Sequence, residues 1–339
     1  MATKKSRVVV PEKSLPPEQQ QAKINEIRKS IGSITSKFPV LCSDVSIVRY
    51  LKARNWNTKK ASKMLKETLK WRLEYKPEKI KWEDVAHEAK VGKLYRANYF
   101  DKYGRTVLIM RPGLQSTSSI PVQIKYLVYC MERATLDLKP DQEQMVWLID
   151  FQGWNMSSIS VKVARETAHL LQERYPERLG LAILYDPPKV FESFWLLVKP
   201  FLEPKTHKKV KFVFRDDQQS RKIMEELFDM EKLESAFGGR NSIGFDYEDY
   251  AKRMVEEDEK MSGSTDNECL SPSPSTMISE LQHSEPNSDL TSEAEASDDE
   301  TDSSTFLEEV QEKIEGFSVG SKDMETVEAD ATSKRSETE

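Results

Sequence analysis

The chain has 339 residues, of which 37% are hydrophobic and 32% charged, so it is long enough for one or two domains with hydrophobic cores. Residues 261–339 hold 21 Asp and Glu but only four Lys and Arg, so their net charge is −17. The whole chain has a net charge of −6, so residues 1–260 have a net charge of +11. No stretch reaches the roughly 18 consecutive apolar residues of a transmembrane helix, and the N-terminus lacks a secretory signal, so we expect a soluble, cytoplasmic protein.

A polar arm and two helical patterns occupy the first part of the chain. Residues 1–22 are polar and contain prolines, which predicts a flexible arm. Residues 23–77 have apolar residues at three- and four-residue steps, which predicts a helical domain closed by Pro77. Within this domain, Ser43 and Thr58 are each positioned to cap a helix.

A repeating pattern of strands and helices occupies residues 94–245. Four short apolar runs predict strands: TVLIM (106–110), MVWLID (145–150), LAILY (181–185) and KFVF (211–214). Helical patterns accompany them over residues 121–138, 158–175, 189–203 and 218–230. Strands that alternate with helices predict an α/β fold with a mostly parallel sheet, covered by helices on both faces.

The C-terminal part, residues 258–339, is rich in Ser, Glu and Asp and has few aromatic residues. Such a composition cannot bury enough apolar surface to offset chain entropy, so we predict an acidic, disordered tail. Ser271 and Ser273 precede prolines and Ser297 precedes Asp-Asp-Glu, which indicates phosphorylation sites. One segment, FLEEVQEKIEGF, has a weak helical apolar pattern that could dock elsewhere on the protein.

Motifs for catalysis are absent from the sequence. It contains no nucleophile elbow, zinc-protease helix, P-loop or dinucleotide-binding loop, and its three cysteines are too far apart to suggest a metal site or a disulfide framework. Asp150 and Asp186 stand at predicted strand ends, where ligands often bind, but capping is the more usual role of such residues. We therefore predict no enzymatic activity, no metal and no cofactor.

The stretch VFESFWLLVKPFLEP, residues 190–204, is apolar on nearly all sides of a helix. As a helix it would extend over about 21 Å, whereas the hydrocarbon core of a bilayer is about 30 Å thick, so it is too short to span a membrane. Its pattern leaves two alternatives open: a helix packed permanently in the core, and a helix that contacts lipid.

The segments on either side of this stretch carry a family resemblance. PERLG (176–180) and KPFLEPKT (199–206) stand in the order helix, turn, strand, apolar helix, basic segment, strand. This arrangement resembles the CRAL-TRIO lipid-binding family, and within it the branch of secretory phosphatidylinositol/phosphatidylcholine transfer proteins. YLKARNW (50–56), LIDFQGW (148–154) and AFGGR (236–240) are further matches, so the resemblance extends over about residues 40–245.

The resemblance implies a helical N-terminal domain followed by an α/β lipid-binding domain. The sheet would form the floor of an apolar pocket, and a mobile gate helix at residues 189–203 would close it. The residues expected to form the gate and acyl pocket are Phe191, Phe194, Trp195, Leu197 and Phe201. A permanently packed core helix remains the alternative for this segment.

The resemblance also implies a site for the headgroup of an inositol phospholipid. Its residues would be Glu177, Thr206 and Lys209, joined less directly by Arg54. Lysine and arginine would offset the phosphate charge, threonine would donate a hydrogen bond, and the glutamate would orient the lysine. An ordinary surface ion pair between Glu177 and Lys209 is the alternative.

Two positions depart from the members of the family that bind choline lipids. Those members have small hydroxyl residues where this sequence has Met145 and Trp147. Bulky side chains at these positions are expected to exclude a choline headgroup, and both residues are equally compatible with a simple core role.

Together these features predict a protein that binds phosphatidylinositol and either transfers it or presents it to phosphoinositide metabolism. Two alternatives stay open: another hydrophobic ligand such as a sterol, tocopherol or retinoid, and a lipid-sensing adaptor that acts through its acidic tail. We expect a monomer whose partners are a phospholipid and, transiently, an anionic membrane surface, with no nucleic acid.

Overall fold

A computed structural model describes residues 15–156, 158 and 160–265 of the chain, with side chains up to Met261. The first part of the predicted arm, and the predicted tail beyond residue 265 with its serine sites and the FLEEVQEKIEGF segment, lie outside the described residues. The chain divides into two compact units, the first ending at Glu74 and the second beginning at Tyr75.

Three helices form the first unit: α1 (Pro17–Ile31), α2 (Asp44–Ala53) and α3 (Thr58–Tyr75), with a 3-10 turn at Gly32–Ser36. Helix α1 begins inside the segment predicted as an arm. A proline at its first position costs no hydrogen bond, and Ile24, Ile27 and Ile31 give the helix a buried face. The core of this unit also contains Ile47, Leu51, Leu65 and Leu69.

The helix caps of this unit match one prediction and correct another. The Ser43 hydroxyl accepts a hydrogen bond from the Ser46 N–H at 3.3 Å, so Ser43 caps α2 as predicted. The cap of α3 is Asn57, whose side-chain oxygen accepts from the Lys60 N–H at 2.9 Å. The Thr58 hydroxyl instead donates to the Glu26 carboxylate at 2.6 Å, because Thr58 already lies in the first turn of the helix.

The second unit is built on a five-stranded sheet in the order β1-β2-β3-β4-β5. The strands are β1 (Leu94–Phe100), β2 (Thr106–Met110), β3 (Met145–Asp150), β4 (Leu179–Tyr185) and β5 (Val210–Val213). Strand β1 pairs antiparallel with β2, and the remaining neighbours pair parallel, which confirms the predicted α/β fold with a mostly parallel sheet.

Strand β1 had no counterpart among the predicted strands, because its sequence LYRANYF mixes charged and polar residues with apolar ones. It joins β2 through a turn in which the Gly104 N–H donates to the Asp101 carbonyl at 3.0 Å. Gly104 has φ of +74°, a conformation that favours glycine, and the Asp101 carboxylate accepts from the Tyr103 and Arg105 N–H groups.

Helices surround the sheet: α4 (Trp82–Ala89), α5 (Ile120–Leu136), α6 (Val161–Arg174), α7 (Phe191–Val198), α8 (Pro204–His207), α9 (Gln218–Leu227) and α10 (Tyr247–Thr265). The sequence patterns predicted neither α4 nor α10. Helix α10 also continues to Thr265, whereas the sequence predicted that disorder begins at residue 258. Within the described residues, no helix is both long and apolar enough to cross a membrane.

The length of α10 is explained by tertiary contacts of Asp258. Its carboxylate accepts a hydrogen bond from the Trp82 N–H at 2.5 Å and pairs with Arg133 at 2.6 Å. Tyr250, about two turns earlier on the same helix, is buried edge-on against Trp82 with ring centroids 5.6 Å apart. These partners are distant in sequence, so the composition of residues 258–265 alone predicts a disordered tail rather than a helix.

Candidate functional site

The apolar stretch near residue 195 forms a short helix followed by a 3-10 turn. Helix α7 ends at Val198, and Lys199–Phe201 form the turn, after which Leu202 is extended. The regular helix is shorter than the predicted 189–203 because Pro200 has no N–H to donate to the helix and its ring clashes with the preceding turn.

Helix α7 buries an apolar face and exposes a large apolar side chain. Phe191, Phe194 and Val198, at three- and four-residue steps, are buried. Leu196 and Val190 are 69% and 43% exposed. The solvent side of α7 thus carries the apolar Leu196 as well as the charged Glu192, whereas the outer side of an ordinary surface helix is polar.

Aromatic residues hold the buried face of α7 against the segment that follows β3. The ring of Phe191 lies 4.4 Å from that of Phe151 and 5.4 Å from that of Trp154, both edge-on. The Phe194 ring lies 5.5 Å from that of Trp154. Edge-on pairs of this kind are favourable arrangements of aromatic rings, so they hold α7 in its present position.

An apolar cavity of about 310 Å³, which we call the α7 cavity, lies between the sheet, α5, α6 and α7. Three of the five predicted gate and pocket residues line it: Phe191, Phe194 and Trp195. The other two, Leu197 and Phe201, are partly buried against the same apolar cluster and are not part of the wall. Further wall residues that sequence reasoning missed include Ala164, Thr167, Ala168 and Leu171 from α6 and Tyr126 and Leu127 from α5.

The two positions that differ from choline-binding members have different surroundings. Trp147 lines the α7 cavity together with Ile149, two residues further along β3 and therefore on the same face of the sheet. Met145 is fully buried and is not part of the wall. The bulk of Trp147 thus occupies space at the sheet side of the cavity, and the exclusion of choline remains a prediction.

One end of the α7 cavity has polar walls formed by Lys93, Arg111, Gln115 and Gln123. Arg111 donates to the Glu234 carboxylate at 2.6 Å and lies 3.5 Å from the Asp150 carboxylate. Lys93 forms a buried ion pair with Glu88. Burial alone would raise the pKa of Glu88, but hydrogen bonds from Lys93 and Thr117 outweigh it and hold that pKa below its usual value. Carboxylates thus balance both cations at this end.

The predicted headgroup residues of the second unit lie together at the start of two adjacent strands. The Lys209 ammonium is 3.0 Å from the Glu177 carboxylate, and the side chains are only 23% and 20% exposed. Glu177 stands two residues before β4 and Lys209 directly before β5, and because these strands pair in parallel, with Ala182 opposite Val210, both residues lie at the same edge of the sheet. The Lys209 N–H donates to the Thr206 carbonyl at 2.9 Å, which places Thr206 on the same turn.

The backbone at Glu177 adopts an uncommon conformation. Its φ is +58°, in the left-handed region that L-residues other than Asn and Asp seldom occupy. Strained residues of this kind concentrate at functional sites, because the surrounding structure must hold them in place. The conformation marks this corner of the sheet as one whose geometry is fixed by its surroundings.

Arg54, the remaining predicted headgroup residue, belongs to the first unit. It follows the last residue of α2, and its N–H donates to the Tyr50 carbonyl at 3.1 Å. Its association with Glu177, Thr206 and Lys209 therefore remains a prediction. Among residues 15–265 apart from the undescribed 157 and 159, no group of three or more His, Cys, Asp or Glu side chains is arranged to hold a metal ion.

Two protein-family models match the chain. The CRAL/TRIO domain matches residues 89–239, and the CRAL/TRIO N-terminal domain matches residues 23–67. These matches confirm the family resemblance that the motifs PERLG and KPFLEPKT indicated.

Two curated relatives share sequence with the chain over about three-fifths of its length. A CRAL-TRIO domain-containing protein of Schizosaccharomyces pombe is 32% identical over 211 residues, which are 62% of this chain and 20% of that protein. Phosphatidylinositol transfer protein PDR17 of Saccharomyces cerevisiae is 31% identical over 221 residues, which are 61% of this chain and 61% of that protein. The chain thus spans less than two-thirds of the length of either relative.

A solved structure has the same fold. The crystal structure of Sfh5 matches with a TM-score of 0.52 and 16% sequence identity, over 73% of this chain and 99% of that one. At this level of identity the match shows the arrangement of helices and strands and carries no information on the ligand.

Proposed function

We propose that this chain, which belongs to the CRAL/TRIO family, binds phosphatidylinositol and moves it between a membrane and an apolar pocket. The acyl chains would occupy the α7 cavity, and the headgroup would lie at Glu177, Thr206 and Lys209. The observation that carries the proposal is a largely apolar cavity beneath a helix that buries Phe191, Phe194 and Val198 and also exposes the apolar Leu196.

The wall of the α7 cavity provides the driving force for holding acyl chains. Each methylene group that leaves water for an apolar site contributes about 0.8 kcal/mol. The cavity of about 310 Å³ is at the lower end of the range of about 300–1,000 Å³ found for ligand pockets. We propose that α7 moves away from the sheet to admit two acyl chains.

The composition of α7 makes such a movement compatible with a membrane surface. When α7 leaves the sheet, Phe191, Phe194 and Val198 lose their contacts, and the hydrocarbon of a bilayer can replace them. Leu196 is exposed already and can enter the bilayer first. Exposed lysines stand close to α7 in sequence, at positions 189, 199 and 211, and each contributes about 1 kcal/mol near an anionic leaflet. We therefore propose that the chain, acting as a monomer, associates transiently with anionic membranes.

The headgroup role rests on the pair of Glu177 and Lys209. Both side chains are largely withdrawn from solvent, so the ammonium of Lys209 attracts a phosphate more strongly than an exposed lysine would. Glu177 fixes the direction of that ammonium, and the hydroxyl of Thr206, on the same turn, supplies a neutral hydrogen-bond donor. The role is one of binding and assigns no catalytic residue.

The test compares transfer of labelled phosphatidylinositol between vesicles by the wild-type chain and by two lysine variants. Lys209→Ala is expected to lower the transfer rate by about tenfold, since hydrogen bonds to charged groups contribute about 1.5–3 kcal/mol. Lys208→Ala removes the same charge from an exposed neighbouring position and is expected to lower it by less than about twofold. Equal transfer rates for the two variants would mean that Lys209 is not part of the headgroup site.

The present volume of the α7 cavity favours a second class of ligand. A single rigid hydrophobic molecule, such as a sterol, tocopherol or retinoid, needs less space than a phospholipid and would fit with less movement of α7. Mass spectrometry of the lipid that copurifies from a eukaryotic host separates the two. Phosphatidylinositol supports the proposal, and a sterol or isoprenoid alone contradicts it.

A further inference from the structure

A second cavity, which we call the α9 cavity, lies on the opposite face of the sheet. Its volume is about 300 Å³, and its wall is formed by the end of β4, the residues after β5, α9 and the segment 230–240. Tyr185 lines it, whereas the preceding residue Leu184 lines the α7 cavity. Successive strand residues point to opposite faces, so the sheet separates the two cavities.

The floor of the α9 cavity is apolar and well packed. Tyr185, Met224 and Phe237 are buried, and the rings of Tyr185 and Phe237 meet edge-on at 5.3 Å. Gly238 follows with φ of +82°, and a Cβ atom there would lie 3.5 Å from the Tyr185 hydroxyl. The floor is therefore suited to an aliphatic or aromatic side chain.

Arginines outnumber carboxylates among the residues that line the rim of the α9 cavity. The wall includes three arginines, Arg215, Arg221 and Arg240, and one carboxylate, Glu225. Arg215 lies 3.6 Å from Asp186 and Arg240 pairs with Glu231, and all four side chains of these pairs are largely exposed. Exposed ion pairs are weak, so an incoming carboxylate or phosphate can replace these partners. An apolar floor under an arginine rim selects a ligand that is anionic and carries an apolar group.

One segment of this chain has that chemistry. FLEEVQEKIEGF, residues 306–317, combines five large apolar residues with four glutamates and one lysine, within the part of the chain whose net charge is −17. Helix α10 ends at Thr265, and the intervening residues 266–305 can extend over at most about 140 Å. Chain length therefore does not prevent the segment from reaching the cavity.

We propose that residues 306–317 dock in the α9 cavity, with an apolar side chain on the floor of Tyr185, Met224 and Phe237 and glutamates at the arginine rim. Docking in trans by a second copy is disfavoured at low protein concentration, since the tethered segment is already present at a high effective concentration. The site does not share a wall residue with the α7 cavity, so the proposal holds independently of the lipid that the chain binds.

The test is hydrogen–deuterium exchange of the full-length protein at low micromolar concentration, read by mass spectrometry of peptides from 306–317 and from 224–238. Arg221→Glu reverses one charge on the rim at an exposed position of α9. Lys222→Glu makes the same change of net charge at the next residue, which is exposed and outside the wall. Lys222→Glu therefore controls for the non-specific electrostatic attraction between the basic residues 1–260 and the acidic residues 261–339.

The proposal predicts about tenfold slower exchange of 306–317 in the wild type than in Arg221→Glu, and wild-type behaviour in Lys222→Glu. Equal exchange of 306–317 in all three proteins would overturn it, as would an equal loss of protection in both variants. If residues 224–238 exchange more slowly in the wild type than in Arg221→Glu but residues 306–317 do not, another ligand fills the cavity. That result also contradicts the tail as its occupant. Dependence of the protection on protein concentration would assign the docking to a second copy instead.

Discussion

The α7 cavity and the α9 cavity have nearly the same volume, about 310 and 300 Å³, and very different walls. The first is bounded by aliphatic and aromatic side chains, and its few charges are balanced by carboxylates at one end. The second has an apolar floor and three arginines at its rim. Volume therefore does not distinguish the two sites, and the chemistry of the wall does: it is the basis for proposing acyl chains on one face of the sheet and an acidic segment on the other.

The largest effect is expected from filling the α7 cavity. Ala168 is buried on α6 and lines this cavity, so Ala168→Trp places a large ring where acyl chains would lie. We expect transfer of phosphatidylinositol to fall to the level of buffer alone, with a loss of stability of about 1–3 kcal/mol from overpacking. Ala168→Ser, which keeps the side chain small, is the control in the vesicle assay. Retention of transfer by the tryptophan variant would mean that lipid binds elsewhere.

The two faces of α7 distinguish a gate from a permanently packed core helix. Phe191→Ala removes a buried ring and is expected to lower the free energy of unfolding by about 3–5 kcal/mol. Leu196→Ser replaces an exposed residue and is expected to change the free energy of unfolding by less than about 0.5 kcal/mol.

A gate that enters the bilayer needs Leu196, so Leu196→Ser should slow lipid exchange about threefold or more while the protein stays as stable as the wild type. Chemical denaturation measures the free energy of unfolding and the vesicle assay measures the rate of lipid exchange, both on the same preparations. An unchanged exchange rate in Leu196→Ser would support the core-helix alternative.

The smallest effect we predict concerns salt. An increase from 0.1 to 1 M salt shortens the Debye length from about 10 to about 3 Å, so contacts at the exposed arginine rim should weaken. Exchange protection of residues 306–317 should fall severalfold, whereas the amount of lipid retained in the α7 cavity should not change. A parallel loss of both would indicate that the two sites are coupled.

The parts of the site that could be predicted from sequence are those whose residues are close together in the chain. PERLG and KPFLEPKT placed Glu177 and Thr206, and with them Lys209, next to β4 and β5, and the structure brings these residues together. The apolar stretch between the motifs predicted a helix, although Pro200 ends it earlier than its apolar pattern suggested.

The parts that could not be predicted depend on contacts between distant residues. Asp258 holds the end of α10 through Trp82 and Arg133, which no local pattern reveals. The wall of the α9 cavity draws on residues scattered between Tyr185 and Arg240, each ordinary for its own helix, strand or loop. Burial of Tyr185 beside Phe237 arises only when the sheet and the segment after α9 pack together.

Photocrosslinking reports directly which cavity holds the lipid. Vesicles would contain phosphatidylinositol with a diazirine near the end of one acyl chain, and labelled peptides of the full-length protein would be identified by mass spectrometry. Lipid binding in the α7 cavity predicts labels on α6 and α7, around Thr167 and Trp195. Labels confined to the peptides of Tyr185, Met224 and Phe237 would contradict it, as would labelling that free phosphatidylinositol in excess does not reduce.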